Sequence, residues 1–261
     1  MRRRTKRRLI DFGLPAIVFV LFLLVWHIST SAFTVPKYIL PAPSDLMDAA
    51  QRVSNTFFHD LWITCVESVA GFALGSVGAF LLALSFAQYS ILEKSLMPYV
   101  IAMKTIPIVA IAPLLVIWLG AGLLPKVILS ALICFFPVLI STVKGLKEVD
   151  PDQIDLFRSL AASDWQLFKW LRLPSCLVYL FPALRMSIVF AVIGAIVAEF
   201  ASANAGLGFK IMLASFHVDT PAMFVYIIAC AVLSLLLYGV IATVERVVVP
   251  WSFSERSRGD L

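Results

Sequence analysis

Charged residues are scarce in this chain. Asp, Glu, Lys and Arg make up 14% of its 261 residues, whereas hydrophobic residues make up 61%. Soluble domains carry about 25% charged residues and roughly half apolar residues. The composition therefore excludes an ordinary soluble domain and indicates a protein that lies in a lipid bilayer.

The sequence motifs of common catalytic sites are also missing. The chain has no Gly-x-x-x-x-Gly-Lys-Ser/Thr phosphate loop, no His-Glu-x-x-His motif and no Gly-x-Ser-x-Gly motif. The cysteines are isolated and lack the spacing of metal ligands, so we expect them to be small packing residues: Cys65, Cys134, Cys176 and Cys230. We predict no catalytic residue, no metal site and no cofactor bound by this chain.

Six apolar segments meet or approach the length of a membrane span. A hydrocarbon core about 30 Å thick needs roughly 20 helical residues. The segments are Phe12–Ile28, Leu61–Ala87, Leu96–Leu119, Val127–Val143, Leu177–Phe200 and Met223–Val244. We therefore predict an all-α membrane protein with six transmembrane helices.

Basic residues predict the orientation of these spans, because Lys and Arg accumulate in cytoplasmic segments. Six crossings place the following residues inside: Arg2, Arg3, Arg4, Lys6, Arg7, Arg8, Lys94, the segment Lys144–Arg172, Arg246, Arg256 and Arg258. Lys37, Arg52, Lys126 and Lys210 fall outside. Both termini are predicted to be cytoplasmic, and the basic pI follows from topology, so we expect no nucleic-acid partner.

The N-terminal segment has a second interpretation. A basic start, an apolar core and the small residues Ser29 to Ala32 are also typical of a secretory signal peptide. Cleavage would leave five spans, with the charged segment Lys144–Arg172 still cytoplasmic. We favour an uncleaved first helix.

The stretch Thr34 to Asp60 is too polar to cross the membrane. Its three prolines predict an extended lead, and Ser44 is placed to cap a helix that follows. Apolar residues would share one face of this helix: Leu46, Ala50 and Val53. We predict that the helix lies along the outer surface.

The charged segment Lys144–Arg172 has the pattern of two short helices joined by a tight turn. Asp150 can cap the first helix, with Pro151 at its first position and Gln153 completing a capping box. The second helix would use Ser163 and Gln166 in the same way, and it would end at Pro174.

Both short helices are predicted to be amphipathic. Leu156, Phe157 and Leu160 give the first helix an apolar face, and the second carries apolar and basic residues: Trp165, Phe168, Lys169 and Arg172. A helical cytoplasmic loop of this size favours a docking element. The alternative is an amphipathic loop that lies on the membrane surface.

The run Asp155-Leu156-Phe157-Arg158-Ser159-Leu160-Ala161-Ala162-Ser163, followed by Leu173-Pro174, resembles the cytoplasmic signature loop of bacterial ABC importer permeases. That signature is Glu-Ala-Ala-x-x-x-Gly with a distal hydrophobic-x-Leu-Pro, and Ala198-Glu199 with Gly206-Leu207-Gly208 extends the match. The resemblance covers roughly residues 38 to 250 and is closest to the nitrate/sulfonate/taurine-type permeases.

Two positions depart from the signature. Asp155 stands in place of Glu, and Ala161 stands in place of Gly. Glycine at a helix end supplies a left-handed turn, so Ala161 would cost about 1 kcal/mol in the same geometry, or else the turn differs.

The resemblance implies a type I ABC importer permease fold in the bacterial inner membrane. It divides the chain into an N-terminal segment with the first helix (1–57), a permease core (58–248) with a coupling loop (145–176) and a cytoplasmic tail (249–261). The implied ATPase-coupling residues are Asp155, Leu156, Phe157, Arg158, Ser159, Leu160, Ala161, Ser163 and Pro174. The implied partners are a pair of cytoplasmic subunits that bind ATP, a second permease copy in a homodimer, an external solute-binding protein and membrane lipid.

Charges and prolines inside spans give the candidate translocation path. An ionisable group at mid-bilayer costs several kcal/mol and tends to face a cavity or a partner, and proline loosens the helical ladder. The candidates are Glu67, Lys104, Pro107, Pro113 and Glu199. Alternatives remain open: Glu67 and Lys104 could form a structural ion pair, the prolines could merely kink a bundle, and Arg185 and Glu199 could lie near the interfaces.

The function expected from this resemblance is that of a permease subunit of an ATP-driven importer of a small organic or oxyanion solute. Glu67 occupies a position where many sulfonate and nitrate permeases carry Arg, and Thr105-Ile106-Pro107 with Ala112-Pro113-Leu114 looks more like the pyrimidine, thiamine-precursor or riboflavin branch. The alternatives are a secondary transporter with Glu67 and Lys104 as a coupling pair, and a membrane scaffold or enzyme subunit.

Overall fold

The structure is a computed structural model that describes the backbone of residues 2–32 and 35–251, with side chains from residue 13 onward in those ranges. Every regular element in these ranges is helical. The elements are α1 (Arg2–Ala32), α2 (Pro43–Gln88), α3 (Ser90–Lys104), α4 (Ile108–Leu119), α5 (Leu123–Lys147), α6 (Pro151–Ser159), α7 (Asp164–Leu167), a π-helical segment (Phe168–Arg172), α8 (Leu173–Ser202), α9 (Leu207–Phe216) and α10 (Thr220–Val248). The predicted all-α class is confirmed. The predicted roles of Thr34, Arg256 and Arg258, and of the basic side chains from Arg2 to Arg8, lie outside the described residues.

Among the described residues, five continuous helices are long and apolar enough to cross a membrane, and a bent pair brings the number to six if it forms one broken span. The continuous helices are Gly13–Ala32, Pro43–Gln88, Leu123–Lys147, Asp164–Ser202 and Thr220–Val248. The bent pair is α3 and α4, whose axes differ by 98°.

The predicted single span Leu96–Leu119 is therefore wrong as one continuous helix. Pro107 stands at the break, with its backbone in the extended region at ψ 111°. Proline offers no N–H and pushes the residue before it away from the α conformation. The last turn of α3 tightens accordingly, because Thr105 and Ile106 donate to the carbonyls of Ala102 and Met103, three residues back.

The helix predicted after Thr34 is present, but it is not separate from the second span. α2 runs without interruption for 46 residues, so the segment predicted to lie on the outer surface continues directly into the candidate span, in one helix about 69 Å long. Ser44 is not its cap, because the helix begins at Pro43. The carboxylate of Asp45 accepts the backbone N–H of Ala42 instead.

The chain divides into two compact units. The first comprises residues 1–58 and 210–228. Within it, Trp26 Nε1 donates to the carbonyl of Pro41 at 3.0 Å, and Thr220 Oγ1 donates to the carbonyl of Tyr38 at 2.7 Å. Arg52 also forms an ion pair with Asp219 at 3.2 Å. These contacts tie the chain around residue 40 to the start of α10.

The second unit comprises residues 59–209 and 229–261, and α5 packed on α8 forms its centre. Small residues allow close contact there: a Cβ on Gly71 or Gly75 would overlap α5. This confirms two of the three predicted small-residue contacts. A Cβ on Gly78 would meet no atom of the described chain within 4 Å, so Gly78 has no such role here.

Candidate functional site

The first helix of the candidate coupling loop, α6, begins as predicted. Asp150 Oδ1 accepts the backbone N–H of Asp152 at 3.0 Å, and Pro151 occupies the first helical position. Because the cap bonds Asp152, the predicted capping box with Gln153 is wrong. The cap fixes the point at which the chain turns from α5 into the loop.

Ala161 closes the turn between the two loop helices in the left-handed conformation, at φ 54°. The N–H of Ala162 donates to the carbonyl of Phe157 at 3.1 Å, which is the six-to-one bond of a Schellman helix end. Ala161 therefore keeps the left-handed turn that glycine normally supplies at a helix end, and the predicted cost of about 1 kcal/mol stays a prediction.

The second loop helix begins with the predicted capping box. Gln166 N donates to Ser163 Oγ at 3.3 Å, and Ser163 N donates to Gln166 Oε1 at 2.8 Å. Its predicted end at Pro174 is wrong, because α7, the π-helical segment and α8 form one 39-residue helix, Asp164–Ser202.

The π-helical segment explains how proline is accommodated. Leu173 N donates to the carbonyl of Phe168, five residues back. This wider turn precedes Pro174, which lacks an N–H and whose ring would clash with a carbonyl in a regular α-helix. The loop is therefore joined directly to a membrane span.

The loop presents large apolar side chains at its surface. The exposed fractions are 59% for Leu156, 72% for Leu160, 67% for Trp165 and 65% for Trp170. The candidate coupling residues Asp155, Arg158, Ser159, Ala161 and Ser163 are also exposed, whereas Phe157 and Pro174 are half-buried. An uncovered apolar surface of this kind on a polar loop is suited to a protein partner.

The bent pair of α3 and α4 carries three of the candidate path residues. Lys104 is the last residue of α3, Pro107 stands at the break, and Pro113 lies within α4. All three are exposed. Lys104 forms no ion pair within the described part of the chain, so the predicted alternative pairing with Glu67 is wrong.

Glu67 pairs with a lysine that was assigned to the outside. Lys126 Nζ lies 2.6 Å from Glu67 Oε1, and the two side chains are 10% and 2% exposed. Lys126 belongs to the first turns of α5 rather than to a loop. The pair joins α2 to α5 inside the unit.

Glu199, the last candidate path residue, is fully buried at the end of α8. Its Oε1 accepts a hydrogen bond from the hydroxyl of Thr64 at 2.7 Å, and its Oε2 accepts one from the backbone N–H of Gly208. Gly206 has φ 112°, and a Cβ there would overlap the Glu199 carboxylate. Only glycine fits this approach of backbone to carboxylate.

Two side chains of α2 complete this arrangement. Asp60 Oδ1 accepts the N–H of Gly206 at 3.0 Å, and Thr64 Oγ1 accepts the N–H of Leu207 at 2.9 Å. Three free N–H groups at the start of α9 are thus satisfied by α2 and α8. The signal in the sequence was a polar row on an apolar span, at Asp60, Thr64, Glu67 and Ser68, of which only Glu67 was singled out.

A second ion pair, half-buried at its arginine and buried at its glutamate, joins α8 to α10. Arg185 Nε lies 2.9 Å from Glu245 Oε2, and Arg185 Nη1 donates to the hydroxyl of Tyr238 at 3.4 Å. Arg185 was expected to reach toward the interface. Its side chain is 19% exposed, and its charge is neutralised by a partner on a neighbouring helix.

Comparison with known families supports the sequence resemblance. Residues 71–250 match the family model described as "Binding-protein-dependent transport system inner membrane component". A riboflavin transport system permease protein of Chloroflexus aurantiacus is 34% identical over 244 residues, covering 93% of this chain and 91% of the relative.

Other relatives are permease proteins as well. A formylaminopyrimidine transport permease protein of Halalkalibacterium halodurans is 33% identical and covers 91% of this chain and 95% of the relative. A putative aliphatic sulfonates transport permease protein of Bacillus subtilis is 28% identical, over 91% of this chain and 86% of the relative.

Solved structures agree on the fold. A chain of the inward-facing methionine ABC transporter MetNI matches with a TM-score of 0.60 at 16% identity, over 73% of this chain and 94% of the other. A chain of an amino acid ABC transporter matches with a TM-score of 0.59 at 17% identity, over 76% and 95%. At these identities the likeness concerns the fold alone.

Proposed function

Because the chain belongs to the family of binding-protein-dependent transport system inner membrane components, as a multi-pass ABC importer permease, we propose that its loop 145–176 couples ATP hydrolysis on partner subunits to solute movement. ATP would be bound by a pair of cytoplasmic subunits, and an external binding protein would deliver the solute. Both termini would then be cytoplasmic. The permease would work as a homodimer, with the path along the interface between its two copies.

The exposed apolar surface of the loop carries this proposal. Leu160 and Trp165 stand on either side of the Ala161 turn and are 72% and 67% exposed. Leaving such side chains in water is unfavourable by about 25 cal/mol per Å² of apolar surface, so an ATP-binding subunit that covers them gains affinity. A partner holding this turn would act directly on the helix Asp164–Ser202.

The candidate path residues divide into two groups under this proposal. Lys104, Pro107 and Pro113 would line the path, because they are exposed on a broken span and an unpaired charge inside a bilayer tends to face water or a partner. Glu67 and Glu199 would stand behind the path and hold α2, α5 and α8 in place, because both are buried and bonded between those helices.

The relatives support a small heterocyclic solute as the cargo. Two relatives above 30% identity are named for riboflavin and formylaminopyrimidine, and a less similar one is named for sulfonates. We propose cargo of the riboflavin or pyrimidine type. Binding measurements on the solute-binding protein that works with this permease would test that assignment.

The test of coupling is ATP-dependent uptake into vesicles that contain the assembled importer and no ion gradient. We expect uptake for the unchanged chain. We expect Leu160→Ser to lower uptake at least tenfold, while Gln153→Ala, which changes an exposed polar residue of the preceding helix α6, leaves it within twofold. Uptake that needs an ion gradient instead of ATP would support a secondary transporter, and equal effects of the two variants would contradict a docking role for the loop surface.

A further inference from the structure

A groove of about 490 Å³ follows one face of α3 near the end of α5. Its lining residues on α3 recur at helical spacing over 12 residues, which is about 16 Å along the axis. They are Ser90, Glu93, Lys94, Met97, Pro98 and Ile101, and Lys147 of α5 completes the lining.

The groove changes character along its length. Ser90, Glu93 and Lys94 make its first part polar, and Met97, Pro98 and Ile101 make the rest apolar. The change falls beside Leu96, where the sequence predicts that the membrane span begins. A molecule that fits such a groove has a polar head at the interface and an apolar tail toward the bilayer centre.

The polar part carries a net positive charge. Lys147 is paired with Glu93, whose side chain is only 14% exposed. Lys94 is exposed and forms no ion pair among the described residues. One ammonium group is therefore left to bind an anion at the head of the groove.

We propose that this groove binds an anionic phospholipid, with the phosphate head on Lys94 and an acyl chain along Met97, Pro98 and Ile101. Basic pockets beside transmembrane helices on the cytoplasmic side favour anionic lipids, because the phosphate charge and the lysine attract each other near the membrane surface. The assignment depends on the cytoplasmic orientation proposed above but not on ATP coupling or transport. Because the groove touches both α3 and the last turn of α5, the lipid bridges the broken span and the helix that leads into the coupling loop.

The experiment uses the full chain in vesicles made of equal parts phosphatidylglycerol and phosphatidylcholine with identical acyl chains. After mild extraction, mass spectrometry of the intact protein counts the molecules of each lipid that remain bound. We expect phosphatidylglycerol to exceed phosphatidylcholine by about fivefold, and Lys94→Gln to remove this preference. The matched control is Lys144→Gln, which removes a charge from the same end of α5 but outside the groove, and it should leave the preference unchanged.

A second variant addresses the apolar part. Ile101→Trp should lower the retention of both lipids, because its ring would fill the groove. Equal preference in the unchanged chain, an equal loss in Lys94→Gln and Lys144→Gln, or displacement of phosphatidylglycerol by millimolar inorganic phosphate would each overturn the proposal. The last result would indicate a site for free phosphate. Uptake measured on the same vesicles separates a failure of this inference from a failure of the importer function.

Discussion

Ala161 adopts a backbone conformation that normally belongs to glycine. Its φ of 54° places it at the end of α6, where the Ala162 N–H closes the turn on Phe157. A Cβ in the left-handed region costs about 1–2 kcal/mol, which glycine avoids. The sequence predicted the position of this turn, because the turn is local, but it left open whether the backbone would change instead.

We expect Ala161→Gly to stabilise the loop by about 0.5–1 kcal/mol, since relief of the Cβ strain exceeds the extra entropy of glycine in the unfolded loop. Hydrogen exchange of the Ala162 amide should slow by a few fold. Ala162→Gly is the matched control: Ala162 is not among the residues with positive φ, so the same change there should not slow exchange at the turn. Faster exchange in Ala161→Gly would contradict the turn geometry.

The Glu67–Lys126 pair is a contact that the sequence could not predict. Which lysine reaches a buried carboxylate depends on the packing of α2 against α5, and Lys104 and Lys126 were equally available in the sequence. The sequence places Lys126 outside, one residue before the predicted span Val127–Val143. In the structure it lies within α5, and the residue as a whole is 8% exposed.

Removal of one member of this pair leaves a buried charge without a partner. We expect Lys126→Met to lower the free energy of unfolding by about 3–5 kcal/mol, and the double variant with Glu67→Gln to recover most of that loss. Unfolding of the purified chain in detergent measures both. Lys104→Met, a change of the same chemistry at an exposed and unpaired lysine, should cost less than about 1 kcal/mol. Equal costs for the two single variants would show that the pair is not formed.

At the scale of helices, the lengths of the apolar segments predicted where the spans lie but not which spans are continuous helices. Five predicted spans lie within continuous helices, and the sixth lies in the bent pair. Composition shows how much apolar surface a segment has. A bend depends instead on how neighbouring helices bond the backbone carbonyl groups that a proline leaves without a hydrogen bond. For the same reason the sequence predicted a continuous span through Pro107 and a helix end at Pro174, whereas in the structure the break is at Pro107 and the helix continues through Pro174.

We expect Pro107→Ala to allow α3 and α4 to align more closely, because alanine restores the N–H and lifts the restriction on Ile106. Spin labels at exposed positions 99 and 118 should then lie farther apart than in the unchanged chain. The control is Pro113→Ala, which replaces a proline inside α4 and should leave the label distance unchanged. An unchanged distance in Pro107→Ala would assign the bend to packing rather than to proline.

At the scale of the whole molecule, charge asymmetry predicts which face is cytoplasmic. In a chain with Cys65 replaced by alanine, we expect Ser159→Cys to react with a membrane-impermeant maleimide only in inverted vesicles. Tyr38→Cys, another exposed position but in the predicted external segment, should react only in intact cells. Labelling of both variants from the same side would contradict the proposed topology.

The 39-residue helix Asp164–Ser202 is about 58 Å long, which exceeds the 40–45 Å of a bilayer with its headgroups. Its only irregular turn, Phe168–Arg172, lies between the capped start and Pro174. Each residue of an α-helix advances the chain by about 100° around the axis. The π-helical turn bonds across five residues where an α turn bonds across four, so a one-residue deletion between 168 and 172 would convert it to an α turn and leave the direction of the Ser163 end nearly unchanged. A one-residue deletion in the regular part of the same helix would instead turn that end, and the loop with it, through about 100° relative to the rest of the span.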